Sequence, residues 1–179
     1  MPSASKSAGP VVYIVGKSLL GQTLAAASPR GICMLAFAAS RRELIDDVER
    51  RFPGAQPASP RDPAMPRLQS ALKYVATPWK PPIFPLDLQG TDFQKTVWRA
   101  LKRIPAGHTA SYIDIARTIG SPTASRAVAG ACGANPISIA IPCHRVVHSD
   151  GSMSGYRWGV ERKRKLLGLE ATRATRSKS

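Results

Sequence analysis

The chain reads as an α+β protein: a small N-terminal antiparallel-sheet-plus-helix unit followed by a mostly helical C-terminal domain with a helix-turn-helix. Three observations predict this. Apolar, β-prone runs fill the first part of the chain up to Phe37. Helical periodicity with capping signals dominates from Thr91 onward. Between them, Pro78 to Pro85 holds four prolines, which no helix interior accepts. The expected organisation is 1–85 as an N-terminal support domain, 86–170 as the helical domain and 171–179 as a disordered basic tail.

In order, residues 11–16 read as a strand, and 19–27 and 32–37 as two more, separated by the turn signal Ser28-Pro29-Arg30-Gly31. Ser40 with Glu43 forms a capping box. It opens a helix whose Leu44, Ile45, Val48 and Phe52 share one face, until Pro53-Gly54 ends it. Residues 53–66 read as a Pro- and Ala-rich loop and 68–75 as a short helix. Thr91 with Gln94 is a second capping box, followed by Phe93, Val97, Leu101 and Ile104 at inward-facing spacing. Pro105-Ala106-Gly107 stops that helix. Residues 111–119 form the next, with Tyr112, Ile115, Ala116 and Ile119 on one face. After Gly120-Ser121-Pro122, a third helix spans about 123–134. Helix, short glycine-containing turn and helix make the helix-turn-helix layout. Asn135-Pro136 ends the third helix, Ile137 to Pro142 is an apolar extended run, 149–155 is a flexible loop, and 158–170 is a last helix.

Composition narrows the function. Lys and Arg number 26 against 11 Asp and Glu, a net +15. The excess is uneven: residues 91–179 carry 15 basic and 5 acidic side chains, residues 1–90 carry 11 and 6. Such a balance favours a polyanionic partner. No stretch reaches the ~18 apolar residues of a membrane span. The first ten residues have no apolar core of signal-peptide length. The three cysteines, Cys33, Cys132 and Cys143, make no disulfide framework and no zinc-ligand spacing. The expectation is a cytoplasmic, intracellular protein (nuclear in a eukaryote), without membrane partner or metal.

The third helix carries Ser125, Ala127, Ala129 and Gly130 around the single long cation Arg126. Residues this small admit close approach of another surface, either a neighbouring helix or a DNA groove. The placement of Arg126 on the more basic half favours DNA.

The chemistry concentrates in Ile141-Pro142-Cys143-His144-Arg145. A thiol becomes a strong nucleophile when a base or positive charge favours its thiolate, although a buried structural cysteine is the plain alternative. On an extended segment Cys143 and His144 point in opposite directions, so a water would relay the proton between them. A carboxylate from elsewhere would hold His144. Glu170, on the apolar face of the last helix with Leu166 and Leu167, is costly there unless paired. It is the candidate, the alternative being a cap on an exposed tail.

These residues carry a resemblance. Gly-Thr-Asp-Phe-Gln at 90–94, Ser-Tyr at 111–112, Ser-Arg-Ala-Val-Ala at 125–129, Ala-Asn-Pro at 134–136, Ile-Pro-Cys-His-Arg-Val-Val at 141–147 and Gly-Tyr-Arg-Trp-Gly-Val at 155–160 closely resemble the O6-alkylguanine-DNA alkyltransferases (methylated-DNA–protein-cysteine methyltransferases), especially the C-terminal half of bacterial Ada. The resemblance covers about half the chain, making 86–170 the DNA-binding alkyltransferase domain, and residues 1–85 match only in outline. It implies that Cys143 takes an alkyl group, chiefly methyl, from O6 of guanine in double-stranded DNA, once per molecule and without a cofactor, with O4-alkylthymine as a secondary substrate. It implies that His144, through water, and Glu170 raise the thiolate population, and that Tyr112 protonates the departing base, a core tyrosine being the alternative. Arg126 would fill the gap left by a nucleotide flipped through the minor groove. Asn135 would brace the turn before the nucleophile, while Val146, Tyr156 and Arg157 would line the base pocket. A monomer is expected. The bulky Trp158 would narrow the pocket toward small alkyl groups. Two other readings stand beside this one: a lesion-binding module without chemistry, against which Cys143 argues, and a cysteine hydrolase, which would need an oxyanion hole.

Overall fold

A computed structural model describes residues 9–176 and divides into two compact units. The first comprises the chain through Thr77 together with residues 82–90, and the second comprises Pro78–Pro81 and the chain from Thr91. Residues 86–90 therefore belong with the first unit, whereas the sequence reading started the second at Leu86. The backbone explains this: Ile32 N–H donates to the Pro85 carbonyl (2.8 Å) and Asp87 N–H to the Ile32 carbonyl (2.8 Å).

The first unit is built on a four-stranded sheet whose spatial order is the third, second, first and fourth strand of the chain. Strands β1 (Val12–Ser18), β2 (Gly21–Ser28) and β3 (Gly31–Ala38) are antiparallel. The apolar pair Leu19-Leu20 was read into the second strand but forms the hairpin turn; Gly21, at φ 101°, closes it and starts the strand. The expected loop 53–66 contributes a two-residue strand, β4 (Gln56–Pro57), parallel to β1. Nothing in its Pro-rich composition signals a strand, and Pro is tolerated there because β4 is an edge. Helix α1 (Arg41–Arg51) begins at Ser40, whose side chain accepts from the Glu43 N–H. Helix α2 (Met65–Tyr74) starts three residues before the apolar pattern does, with a proline in its first turn. Both helices pack on the sheet, and Leu24, Ile32, Leu35, Leu44, Val48 and Leu68 form the core.

The second unit is helical. Helix α3 (Asp92–Leu101) has the full reciprocal capping box of Thr91 and Gln94. Its inward face is Val97, Trp98 and Leu101, all fully buried, with the Trp98 indole donating to the Ala131 carbonyl (2.9 Å). Phe93, expected on that face, is 37% exposed; it sits in the first turn, and Trp98 takes the inward volume. Helices α4 (Tyr112–Thr118) and α5 (Ser125–Gly133) follow, the first capped by Ser111 and Asp114, the turn between them using Gly120 at φ 74°. Strands β5 (Ala110–Ser111) and β6 (Val146–Val147) pair in parallel.

Two expectations change here. Ile137 to Pro142 is not extended: it is a turn with Ile139 at φ 66°, and Cys143–Arg145 form one turn of 3-10 helix. The last helix, α6, runs Val160–Arg176. Residues 171–176 thus continue the helix where a disordered tail was expected, and 177–179 lie outside the described residues. Among the described residues no helix is long and apolar enough to cross a membrane.

Candidate active site

The turn before Cys143 is held from below by one side chain. Asn135, fully buried, accepts from the Ile137 N–H (2.9 Å) and donates to the Ile141 carbonyl (2.9 Å). It also donates to Cys143 Sγ (3.2 Å). A positive φ at a β-branched residue such as Ile139 is strained, and these bonds over-determine the turn that contains it. The resulting 3-10 geometry, rather than strand alternation, aims Cys143 and His144 apart.

Cys143 is at the floor of a cavity of about 240 Å³. Tyr112, Tyr156 and Arg157 form part of its wall; Ala129, Cys132 and Gly133 of α5, with Gly155, complete it. Burial pushes the Cys143 thiol up to about 11, against the Asn135 hydrogen bond and the charges of Lys163 and Arg157, which pull it down. Desolvation outweighs the nearby cations, so the protonated thiol is favoured in the free protein.

Behind the thiol, His144 and Glu170 are both buried and meet at 2.9 Å, Nε2 to Oε1. Arg145 grips the same carboxylate, with Nη2 at 2.8 Å from Oε1 and Nε at 3.0 Å from Oε2. Its Nη1 donates to the Ile104 carbonyl at 2.6 Å. Gly107 N–H, at φ 81°, reaches Oε2 at 3.3 Å. Burial raises the Glu170 carboxyl, but the hydrogen bonds and charges of His144 and Arg145 outweigh it and hold it at about 2. Burial keeps His144 below its ordinary value, and so neutral. With Glu170 ionised, Nε2 must carry the imidazole proton, which leaves Nδ1 as a base. Nδ1 is buried and has no hydrogen-bond partner among the described residues.

The other expected site residues fall as follows. Tyr112 is half-buried on the cavity wall, its ring edge-on to His148 with centroids 6.0 Å apart. Tyr156 shares a 2.9 Å hydrogen bond with Ser138, and Arg157 lies over the Trp158 ring. Val146 does not reach the cavity: it is fully buried, and its carbonyl accepts from Lys163 and Ser154. Asn135 supports the floor rather than the wall. Trp158 packs edge-on behind Tyr156, centroids 5.2 Å apart, and is not part of the lining, so any narrowing would act through Tyr156. On α5, Arg126, Ala127 and Gly130 are exposed, and Ser125 and Ala129 partly so. A Cβ built at Gly130 or Gly133 meets no atom within 4 Å, so no neighbouring element among the described residues requires their smallness.

Sequence reasoning missed Lys163, Ser154 and Cys132. Lys163 belongs to the basic stretch Arg162 to Lys165 of the last helix, yet it is fully buried and donates to the Val146 carbonyl (2.6 Å) and Ser154 Oγ (2.6 Å). The signal available was its helical register with Leu166 and Glu170, three and seven residues on.

Residues 92–172 match the family described as 6-O-methylguanine DNA methyltransferase, DNA binding domain. The chain is 46% identical over 165 residues to the bifunctional transcriptional activator/DNA repair enzyme Ada of Escherichia coli, covering 90% of this chain and 46% of that protein; it spans just under half of that relative's length. The inducible methylated-DNA–protein-cysteine methyltransferase of Bacillus subtilis is 44% identical over 128 residues, 72% of each chain. OGT of Mycobacterium tuberculosis, solved in complex with DNA, is similar in fold with a TM-score of 0.73 and 35% identity, covering 90% of this chain and 94% of that one. With a buried Cys-His-Arg turn braced by asparagine and glutamate, and with these relatives, the chain belongs to the methylated-DNA–protein-cysteine methyltransferase family.

Proposed function

We propose that this protein repairs DNA by moving an alkyl group, chiefly methyl, from O6 of guanine in double-stranded DNA to Cys143. The single observation that carries the reading is the thiol at the cavity floor, bonded to Asn135 and backed by a Glu170–His144 pair whose Nδ1 has no partner among the described residues. Because the thiol rests protonated, its proton leaves as the reaction proceeds, through a water to Nδ1 of His144. The S–C bond forms as the C–O6 bond breaks, and the bond's electron pair stays with guanine. Tyr112 gives its proton to the base, at N3, so that a neutral guanine departs; the imidazolium then loses the sulfur's proton to solvent, and solvent returns one to the phenolate. Glu170 holds the imidazole in the accepting tautomer and stabilises its charge.

The target base must leave the stack to reach the cavity floor, since its O6 is otherwise held in the duplex. The exposed small residues Ala127 and Gly130 suit a groove-lying α5, here the minor groove, and Arg126 at its start would fill the space the base vacates. The basic balance of the second half suits phosphate contacts. A thioether is a poor leaving group, so each molecule acts once and needs no cofactor. O4-alkylthymine, with a similar exocyclic ether, is a secondary substrate, and the protein works as a monomer inside the cell.

The test is incubation with a duplex containing one O6-methylguanine, followed by intact and peptide mass measurement. One added methyl on Cys143, with guanine restored, is expected. Retained binding without an adduct would mark a lesion-recognition module, and continuous product release would mark a hydrolase; either outcome overturns the proposal.

A further inference from the structure

The cavity over Cys143 has one charged wall. Of its lining residues, Arg157 alone carries a permanent charge. The buried cations Arg145 and Lys163 do not line it. The Arg157 side chain is held at two points. Its Nη1 donates to the Gly133 carbonyl at 3.4 Å, and its guanidinium lies 5.8 Å from the centre of the Trp158 ring, within cation–π range. Gly133 closes α5 and lines the same cavity, so the guanidinium joins the loop side of the wall to the helix side.

A methyl group makes no use of that charge, being small and neutral. The charge matters for an O6 substituent that reaches past the reacting carbon. That carbon must lie against Cys143 Sγ, so whatever it carries extends along the cavity wall. The two glycines of the wall leave space: a Cβ built at Gly133 or Gly155 meets no atom within 4 Å. A carboxylate entering the cavity without a partner would be penalised by desolvation. It would also repel the negative charge that develops on sulfur as its proton leaves. A guanidinium on the wall offsets both effects, and its planar fork matches a carboxylate. The charge of Arg157 also reaches the sulfur, being among the influences that pull the Cys143 thiol down.

We propose that Arg157 is a specificity-determining residue that selects O6 substituents by charge, favouring alkyl groups that end in a carboxylate over neutral groups of the same size. O6-carboxymethylguanine carries the smallest such group. This rests on the reading of Cys143 as the alkyl acceptor. The step is the same displacement. The S–C bond forms at the methylene carbon, and the C–O6 bond breaks with its electron pair staying on guanine. The carboxylate is carried over unchanged, giving S-carboxymethylcysteine at position 143.

The test uses the full-length chain and three duplexes, carrying O6-methyl-, O6-carboxymethyl- or O6-carboxamidomethylguanine. The third is nearly isosteric with the second but neutral, so the ratio of their single-turnover transfer rates reads charge rather than size. Adducts on Cys143 are identified by peptide mass. The wild type is expected to transfer carboxymethyl about tenfold faster than carboxamidomethyl. Arg157→Gln should bring that ratio to one or below, whatever becomes of the methyl rate. Arg157→Lys, which keeps the charge without the fork, should hold the ratio between the two. Arg157 is exposed, so both changes leave the core intact. A wild-type ratio of one would overturn the proposal. So would a ratio unmoved in Arg157→Gln, with all three lesions slowed alike, since the side chain would then serve only phosphate contact. A ratio lost in Arg157→Lys as fully as in Arg157→Gln would remove charge as the cause. A wild type that takes no methyl overturns the proposed function as well, whereas one that takes methyl without a charge preference overturns only the role of Arg157.

Discussion

Cys33 in β3 and Cys143 in its 3-10 turn are both buried thiols, and burial pushes both up, to about 12 and about 11 respectively. Their surroundings differ. Cys33 lies in a strand of apolar neighbours, and after burial the largest influence on it, the Asp87 carboxylate, pushes it further up against weaker pulls from backbone hydrogen bonds and Arg51. Cys143 takes a hydrogen bond from Asn135, feels Lys163 and Arg157, and opens on a cavity. The lesson is that burial does not distinguish a structural thiol from a reactive one. The distinction is made by donors and cations that stabilise the sulfur's charge as it develops, and by room for a substrate.

The comparison breaks most visibly at the sulfur. Cys143→Ser should abolish methyl uptake from lesion-bearing duplex, measured by intact mass, while Cys33→Ser should transfer at the wild-type rate. Uptake surviving the first change would end the distinction. Next in size is the carboxylate behind the site. Glu170→Gln leaves the Arg145 guanidinium buried without its counter-charge and should lower unfolding free energy by ~3–5 kcal/mol in urea titrations. Transfer should slow with it, because His144 loses its preferred tautomer.

Asn135→Leu sharpens the comparison by making Cys143 more like Cys33. It removes the bond to Sγ and strands the Ile137 N–H, for a cost of ~1–3 kcal/mol. The pH midpoint of iodoacetamide labelling should rise from about 11 toward the value near 12 of Cys33; an unchanged midpoint would remove Asn135 from the argument.

Acid provides a more gradual test. His144 titrates in the folded protein below its unfolded value of ~6.5, so the unfolded chain binds the proton first and stability falls as pH drops below that value. Glu170, at about 2 when folded and ~4.3 when unfolded, contributes stability that is present above ~4.3 and lost as pH falls toward 2. Urea midpoints should therefore decline in two stages, below about pH 6.5 and again below about pH 4.3. Replacing His144 by asparagine should remove the first. The smallest effect belongs to the first unit: Asp87→Asn loses the ion pair with Arg30, which is 54% exposed, and should cost about 1 kcal/mol with transfer untouched.

Much of the fold was legible because its signals are local. The Thr91–Gln94 and Ser111 caps, the Ser28–Gly31 turn and the helix-turn-helix spacing each involve residues within a few positions of one another. The nucleophile turn was legible as a motif but not as a shape: an apolar run of six residues suggests an extended segment, whereas Asn135, bonding at both ends, and backbone bonds within the turn hold Ile139 at positive φ. Phe93 and Trp98 show the same limit, since periodicity placed Phe93 inside and packing chose Trp98.

The residue types, their order and their local spacing determined by themselves an α+β chain, a basic second half and a Cys-His-Arg motif with a carboxylate on the last helix. Tertiary structure alone decided that Glu170 reaches His144 from 26 positions along the chain, that Lys163 is enclosed rather than solvated, and that burial favours the neutral thiol. The physical reason is that desolvation and long-range pairing depend on what surrounds a side chain in space, and a linear spacing carries that information only for near neighbours.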